Sequence, residues 1–528
     1  AVLVIVQSDV IGYFRHCSLL RVKSGEVRYH LVLLCSEHFI PIYDIIPKVN
    51  PMRTLFAIIV FVVGNLALSV EAKQPNVIVF LVDDMGWMDS STYGSEFYET
   101  PNMTRLAKQG MTFTQAYAHP LCSPTRAALM TGKYPARFAM HQAITGQSKA
   151  EPKLSAQPRR GETVRWPESK SHLPLEETTI AETLRGSGYD TWFLGKWHLG
   201  NQPEYWPGQQ GFDKVICVGG AGPSGGYFAP NRIPALKPGP DGEYICERLT
   251  DEACRLIDNR GDAPFFMYLS HFNVHSPYEA RPADVERFAA KIDKSLTHQN
   301  PVMAAMLFAM DESLGRILDK LEDAGLSDDT WVFFMSDNGG VHWSNMRGEY
   351  AKRFPVPVTS NAPLRGGKAC FYEGGVRVPM IVRKPGTVPA DSKCDQPVHA
   401  IDLLPTLAAI AGVDESQHEE IDGISLLPVL SDETTLNRER LFCHFPRSKT
   451  LAGTVGGSFV REGDYKLIRL WFGGDDGKHA YELYDLSTDI GEQTNLAPAM
   501  PEKVTALSQT LDDWLADTHA LVPQWRAE

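Results

Sequence analysis

The sequence predicts an α/β fold with a large, mostly parallel central sheet flanked by helices, plus a smaller C-terminal α+β subdomain with an antiparallel sheet. Three observations carry that prediction. Apolar runs of buried-strand length alternate with helical patterns from residue 76 to residue 411, polar residues collect where those runs end, and beyond residue 415 short strands are joined by Gly-Asp turns. At 528 residues, 43% of them hydrophobic and 22% charged, the chain can bury a large core, which excludes a disordered, collagenous or coiled-coil protein. Its 64 acidic residues outnumber 51 Lys and Arg, a net charge of −13. That balance argues against nucleic acid or an anionic membrane surface as a partner and requires a local cationic pocket for any anionic ligand.

Residues 55–68 are the one apolar run that invites a membrane reading, but at ~14 residues they fall short of the ~18–20 a spanning helix needs. With Met52 and Arg53 as a positive n-region and Val70-Glu71-Ala72 before Lys73, residues 52–72 read as a secretory signal peptide. Residues 1–51 are then expected to be an upstream extension. Export to the periplasm or the extracellular space follows, and it places Cys122, Cys217, Cys246, Cys254, Cys370, Cys394 and Cys443 in an oxidising compartment. Their number is odd, and Cys246 with Cys254 is the candidate bridge by proximity in sequence.

Taken in order, Asn76–Val82 is continuous, apolar and β-branched, and ends in Asp83-Asp84, so two carboxylates stand at a strand's C-terminal end. A helical pattern at 181–185 runs into Gly186-Ser187-Gly188, and the strand at 189–194 closes on Gly195-Lys196-Trp197-His198. Phe265–Ser270 runs into His271 and His275. Residues 302–321, apolar at 303, 307, 310, 314, 317, 318 and 321, make an amphipathic helix, followed by Gly325, a strand at 330–335 and Ser336-Asp337-Asn338-Gly339-Gly340. A strand at 378–382 and a helix at 400–411 continue the alternation. Strands at 458–461, 465–471 and 480–485 then read as a meander, closed by a helix at 504–516. Segments 151–176 and 341–362 are expected as long surface loops. The chain thus divides into an α/β domain at 73–414 and a C-terminal subdomain at 415–528.

In such sheets ligands bind outside the carboxyl ends of the strands, where acids, amides and histidines have accumulated here. Asp83, Asp84, Asp337 and Asn338 are four oxygen donors on two strand ends, a set that suits Ca²⁺ or Mg²⁺. Each pair taken singly reads equally as a cap or a turn. Together they repel unless a cation or cationic side chains neutralise them. Cys122 stands in Leu121-Cys122-Ser123-Pro124-Thr125-Arg126, where Pro124 and the good helix formers after it predict a helix start. The positive end of a helix dipole, with Arg126 one turn away, stabilises an anion there; an ordinary buried or disulfide-bonded cysteine is the alternative.

The segment CSPTRAALMTGK at 122–133 resembles the signature of type I sulfatases, CxPxR with a downstream LxTG. FLVDDMGW (80–87), GKWHLG (195–200), FFMYLSHFNVHSP (265–277), FFMSDNGG (333–340), NAPLRGGKACFYEGGVRVPMIV (361–382) and GDYKLI (463–468) fit the same family in the same order. Thr125 stands where many relatives have Ser, in a slot that varies. The resemblance covers essentially all of residues 73–500 and implies an alkaline-phosphatase-like sandwich. It further implies that a maturation enzyme oxidises Cys122 to formylglycine, whose hydrate supplies the nucleophile. Asp83, Asp84, Asp337 and Asn338 would bind Ca²⁺, or less readily Mg²⁺, together with residue 122. Arg126 and Lys196 would hold the hydrate, His198 would take a proton from its second hydroxyl, and His275 and Lys368 would contact sulfate and assist departure of the alcohol. His444 resembles a position where relatives place a substrate-contacting group. Arg137, His141, Arg365, Glu373 and Arg377 are expected as supporting partners.

The activity implied is hydrolysis of a sulfate ester on a sulfated carbohydrate or an aryl group. The alternatives are a phosphonate monoester or phosphodiester hydrolase of the same superfamily, and an inactive sulfated-glycan binding protein. Every family position named above is filled, which weighs against the latter. No CxxC or paired Cys/His ligand spacing supports a redox or zinc protein.

Overall fold

Continuous apolar sequence from Asn76 to Val82 demands cover on both faces of a strand, and the computed structural model provides it. Val77, Val79 and Leu81 belong to one buried cluster, while Ile78, Phe80 and Val82 belong to another on the opposite side of the sheet. The structure describes residues 74–528 except 147, 156, 158–161, 414–419, 432–434, 452 and 526–528. Of the first 73 residues it describes four strands, Ile5–Val6, Phe14–Leu20, His30–Cys35 and His38–Pro41, paired antiparallel in that order. The signal peptide expected at 52–72 lies outside the described residues. Residues 1–73 and 74–528 form separate compact units, and the elements below belong to the second.

The central sheet has nine strands: β1 (Asn76–Val82), β2 (Met111–Tyr117), β3 (Asp190–Lys196), β4 (Lys214–Gly219), β5 (Phe265–Ser270), β6 (Thr330–Ser336), β7 (Arg377–Arg383), β8 (Ser392–Cys394) and β9 (Val398–His399). Their order is β8, β2, β7, β6, β1, β5, β3, β4, with β9 also beside β2. From β6 to β4 all neighbours are parallel; β7 runs antiparallel to both β6 and β2. The register decides where the chemistry sits. Val82 pairs with Ser336, Leu81 with Ser270, and Ser270 with Gly195, so β1, β3, β5 and β6 finish level and deliver their polar ends to one edge.

Helices α1 (Pro101–Lys108), α2 (Cys122–Thr131), α3 (Ile180–Gly186), α4 (Ile245–Asp258), α5 (Pro282–Ala289), α6 (Pro301–Asp323) and α7 (Leu403–Ile410) cover the sheet on both sides. The apolar stripe of residues 303 to 321 is buried in α6 with the cluster that holds Ile78 and Phe80. At the start of α6, Pro301 and the Asn300 side chain, which accepts from the Val302 and Met303 N–H groups, fix the first turn. Strands β2, β4, β8 and β9 and helices α1, α4 and α5 were not anticipated from the sequence.

The expected Cys246–Cys254 bridge is corrected: both residues lie on α4, eight positions or about 12 Å apart along its axis, beyond disulfide reach. The seven cysteines from Cys122 to Cys443 are free thiols, and Cys246 Sγ donates to the Ala309 carbonyl at 3.4 Å.

Strands β10 (Arg440–Phe445), β11 (Gly457–Glu462), β12 (Tyr465–Leu470) and β13 (Ala480–Asp485) form the antiparallel C-terminal sheet in chain order. The meander gains a first strand, β10, that the sequence pattern had not marked. Helix α8 (Pro501–Asp517) buries Leu507, Leu511 and Leu515 with Val460 and Leu467 of β11 and β12. A buried polar cluster fastens this sheet to the central one: Lys466 Nζ donates to Glu373 Oε1 and Glu492 Oε1, both at 2.9 Å, and Tyr117 donates to Glu373 Oε2 at 2.7 Å. Among the described residues no helix is long and apolar enough to cross a membrane.

Candidate active site

At the level edge of β1, β3, β5 and β6 the structure gathers three carboxylates, an amide and three cations. Asp83 and Asp84 follow β1, Asp337 and Asn338 follow β6, and Lys196 ends β3. Gly195 lets β3 reach this edge: its φ is +106°, and a Cβ there would lie 1.9 Å from the Ser270 carbonyl oxygen. Lys196 Nζ donates to Asp83 Oδ2 at 2.6 Å, and Lys368 Nζ donates to Asp84 Oδ2 at 2.6 Å. Arg126, one turn into α2, donates through Nε and Nη2 to Asp337 Oδ2 at 3.0 and 2.7 Å. Its Nη1 donates to the Lys196 carbonyl at 2.8 Å and to Ser270 Oγ at 2.5 Å. The guanidinium as a whole is therefore fixed by groups from three different strands, which a lone charge in this buried setting requires.

Cys122 is the first residue of α2, buried to 1% exposure, so the positive end of a fully buried helix points at its side chain. His198 Nδ1 lies 3.2 Å from Cys122 Sγ, while Nε2 lies 2.9 Å from the Ile144 carbonyl. That carbonyl can only accept, so Nε2 carries the ring proton and Nδ1 presents its lone pair to residue 122. Burial, reinforced by Lys196, pushes the His198 imidazole well below its ordinary range and keeps it neutral. His275 is held low by burial and then by Lys368, with its Nδ1 2.7 Å from the Ser276 carbonyl and its Nε2 3.7 Å from Asp84 Oδ2. Two of these groups sit in the left-handed region, Asp84 at φ 62° and His198 at φ 55°. Such backbone costs about 1–3 kcal/mol per residue and is kept where the surroundings over-determine it. The Asp84 N–H, for example, donates to Asp337 Oδ1 at 3.1 Å.

The carboxylates divide by environment. Burial works to raise Asp84, but Lys368, His275 and Lys196 overcome it and hold this carboxyl below the usual range. At Asp83 burial wins against Lys196, helped by Asp337 and Asp84, and pushes the carboxyl well above its ordinary value. Asp83 Oδ1 accepts no hydrogen bond among the described residues and has Arg126 Nη2 3.8 Å away; Asn338 Oδ1 is likewise buried and unpaired. Asn338 Nδ2 donates to Asp84 Oδ1 at 2.8 Å and to the Gly339 carbonyl at 3.0 Å, which fixes the amide and leaves its oxygen as the atom without a partner. Orphaned buried oxygens are costly, and a hard divalent cation is the partner this oxygen-only donor set fits. One ligand atom each from Asp83, Cys122 and Asp337 lies within 4.8 Å of the others, as do atoms from Asp83, Asp84 and His275.

Lys368, His275 and Asp84 form the floor of a cleft of about 870 Å³. Its walls come from residues 142–146 and 166–171, from Val341, Trp343 and Asn345, and from Pro446 and Leu451 of the C-terminal sheet's loop. His444 is not among the lining residues, which corrects its expected substrate contact. Its Nδ1 is 2.7 Å from Ser458 Oγ and its Nε2 3.1 Å from the Leu521 carbonyl, so both nitrogens are engaged in the fold. Arg137 pairs with Asp422, His141 meets the Pro167 carbonyl, Arg365 holds Tyr484, and Arg377 donates to the Thr114 carbonyl. Three contributors escaped the sequence reading: Ser270, Ser123 and the Ile144 backbone. Ser123 Oγ donates to the His198 carbonyl at 2.9 Å and accepts from the Ile144 N–H at 3.1 Å. Its place inside CSPTR was the available signal; a backbone carbonyl offers none.

The sequence model of the family described as Sulfatase matches residues 75–413, and that described as N-sulphoglucosamine sulphohydrolase, C-terminal, matches 367–520. The chain is 31% identical to a protein named Sulfatase from Formosa agariphila, covering 86% of this chain and 91% of the relative. It is 30% identical to Arylsulfatase A of Homo sapiens, covering 83% and 87%. With human N-acetylgalactosamine-6-sulfatase the identity is 32%, covering 74% and 72%. Among solved structures, Ps i-CgsB in complex with k-i-k-neocarrahexaose superimposes at a TM-score of 0.68 and 27% identity, covering 86% of this chain and 94% of that one.

Proposed function

Because the chain belongs to the sulfatase family and is a sulfuric ester hydrolase, we propose that it removes sulfate from a sulfated carbohydrate, using a formylglycine made from Cys122 and a bound Ca²⁺. The observation that carries this reading is the placement of Cys122: the N-terminus of a buried helix, 3.2 Å from a neutral imidazole nitrogen and with ligand atoms of Asp83 and Asp337 within 4.8 Å. A hydrated aldehyde at that position supplies a nucleophilic hydroxyl and a second, ionisable one. Asp83, Asp84, Asp337 and Asn338 would hold the cation, which supplies charge neutralisation for the sulfate oxygens.

The protein's own groups then have distinct tasks. Arg126, clamped by Asp337, Ser270 and the Lys196 carbonyl, offers fixed positive charge beside residue 122 without reorganising. His198 Nδ1 is placed to accept the proton of the hydroxyl that does not attack, and the Ile144 carbonyl stabilises the imidazolium that results. Lys368 stands at the cleft floor with its charge maintained by Asp84, against burial, so it can bind a sulfate oxygen or protonate the departing alcohol. His275 flanks the same position.

The cleft's volume, near the top of the ~300–1,000 Å³ range of small-molecule sites, exceeds what one aryl group needs. Relatives named for N-acetylgalactosamine-6-sulfate and a structural neighbour holding a neocarrahexaose support a carbohydrate. Cys122 is inaccessible in the folded chain, so the maturation enzyme must act before α2 packs. Export behind the signal at 52–72 fits this order, as does a catalytic domain at 73–414 whose cleft is completed by a loop of the subdomain at 415–528.

The test is the mass of the Cys122 peptide from natively produced protein, with sulfate release from sulfated glycans measured with and without Ca²⁺. A formylglycine residue and calcium-dependent release are expected. An active protein with an intact thiol would sink the reading.

A further inference from the structure

Three loops that build the site meet around the carboxamide of Asn361, the first residue of the NAPLRGGK segment. The residue is buried to 2% exposure. Its Oδ1 accepts from the Gly340 N–H at 3.2 Å, and its Nδ2 donates to the Gly340 and Gly366 carbonyls, both at 3.0 Å. Only this orientation serves, because a reversed amide would turn its oxygen toward two carbonyl oxygens. Gly340 stands two residues after Asn338, and Gly366 two before Lys368. The Gly340 carbonyl also accepts from the Lys368 N–H at 3.0 Å, so one peptide group holds both the amide and the backbone of the lysine. The contact is close enough to exclude side chains. A Cβ at Gly86, two residues after Asp84, would lie 2.3 Å from Asn361 Oδ1, and one at Gly367 would lie 2.6 Å from Nδ2 and 2.4 Å from the Gly340 oxygen. The loops bearing Asp84, Asn338 and Lys368 are therefore fastened at one point. An ammonium on a flexible stem is only as well placed as the backbone beneath it. Here that backbone is held at Gly340 while Lys368 Nζ reaches Asp84 Oδ2 at 2.6 Å.

We propose that Asn361 is a positioning residue for sulfate ester cleavage: its carboxamide locks the backbone of Lys368 to the strand end that carries Asn338, and so fixes where the Lys368 ammonium stands beside Asp84. This rests on the sulfatase reading above and extends it to a residue that acts through Lys368. All three of its hydrogen bonds go to residues two positions from Asn338 or Lys368, which a side chain that merely filled a gap in the core would have no reason to do.

The experiment uses protein whose formylglycine has been verified by mass, with 4-nitrophenyl sulfate and a panel of sulfated glycans as substrates, and compares N361A, K368A and the double variant. 4-Nitrophenolate departs readily without a proton donor, which keeps the K368A rate measurable. N361A should lower kcat/KM about tenfold to a hundredfold, the loss expected when a reacting group is misplaced by about 1 Å. In the K368A background the same change should cost less than about threefold, because the group through which Asn361 acts is gone. A purely structural loss would instead multiply equally in both backgrounds. Thermal unfolding under the assay conditions gives the folded fraction, by which each rate is divided. G367A probes the same junction with the amide in place, since its Cβ would part Gly340 from Asn361, and it should show the same dependence on Lys368. It carries the test if N361A does not fold. Multiplicative losses in these cycles, or an N361A variant with the turnover of the parent, would overturn the proposal while leaving the sulfatase reading intact. Failure of the parent protein to release sulfate from any substrate would overturn that reading and this inference with it.

Discussion

The Nδ1 atom of His198 faces Cys122 Sγ at 3.2 Å, while its Nε2 is committed to the Ile144 carbonyl at 2.9 Å. One ring nitrogen orients and the other is left free to take a proton. Replacing His198 by Asn should lower kcat by about a hundredfold to ten-thousandfold and change KM little. Initial rates on a sulfate ester check this; a KM effect with unchanged kcat would assign His198 to binding instead.

Asp83 and Lys196 are both fully buried and 2.6 Å apart. Either K196M or D83N alone leaves an uncompensated buried charge and should cost about 3–5 kcal/mol of stability. The double variant should recover a substantial part of that loss, since no lone charge remains. Denaturant unfolding of the four proteins measures the coupling, and strictly additive losses would contradict it.

The unpaired Asp83 Oδ1 and Asn338 Oδ1 predict that a chelator lowers both sulfate release and the melting temperature. At a hundredfold excess over its dissociation constant a native-state ligand stabilises by about 3 kcal/mol. Returning Ca²⁺ should restore both readouts, and N338A should need more Ca²⁺ for the same recovery. A melting temperature indifferent to chelation would mean that the oxygens enclose no ion.

The Lys466 cluster gives pH a sign. Burial, with the Glu373 carboxylate, raises Glu492 to about 7 despite Lys466, so the folded state holds this proton more tightly than the unfolded chain. Stability from this group is complete below the ordinary glutamate range and is lost as pH rises toward about 7. Glu373 has the opposite sign: burial opposes its charge, but Lys466, Arg377 and Arg461 hold it down to about 2, and its stability is lost as pH falls toward that value. E492Q should therefore flatten the decline on the alkaline side and leave the acid side steep. Urea midpoints from about pH 2 to about pH 8 read both sides, at roughly one point per unit.

Gly195 carries φ +106° and has no room for a Cβ beside the Ser270 carbonyl. G195A should cost about 2–4 kcal/mol and, by shifting the end of β3 with Lys196, reduce turnover. A variant with wild-type stability would show that β3 can move away from β5 freely.

Much of the candidate site was legible because its residues sit in local patterns that report burial and strand ends. Asp83-Asp84 after an apolar run, Ser336-Asp337-Asn338 after another, and Cys122 before Pro124 each announce position along the chain. His444 misled because HFP looks the same whether a histidine faces a cleft or, as here, packs between Ser458 and the Leu521 carbonyl. Cys246 and Cys254 misled because proximity in sequence says nothing about a helix that holds them about 12 Å apart.

By itself the sequence determined the alternation of strands and helices, the polar strand ends, the helix that begins at Cys122 and the meander that closes the chain, since periodicity and capping are local properties. Only the tertiary structure decided the strand order that inserts β7 antiparallel beside β6, and the register that brings Val82, Ser270 and Ser336 level. It also chose Ile144 as the partner of His198. Strand order, register and backbone hydrogen bonds depend on contacts between segments far apart in the chain, and side-chain type does not encode them.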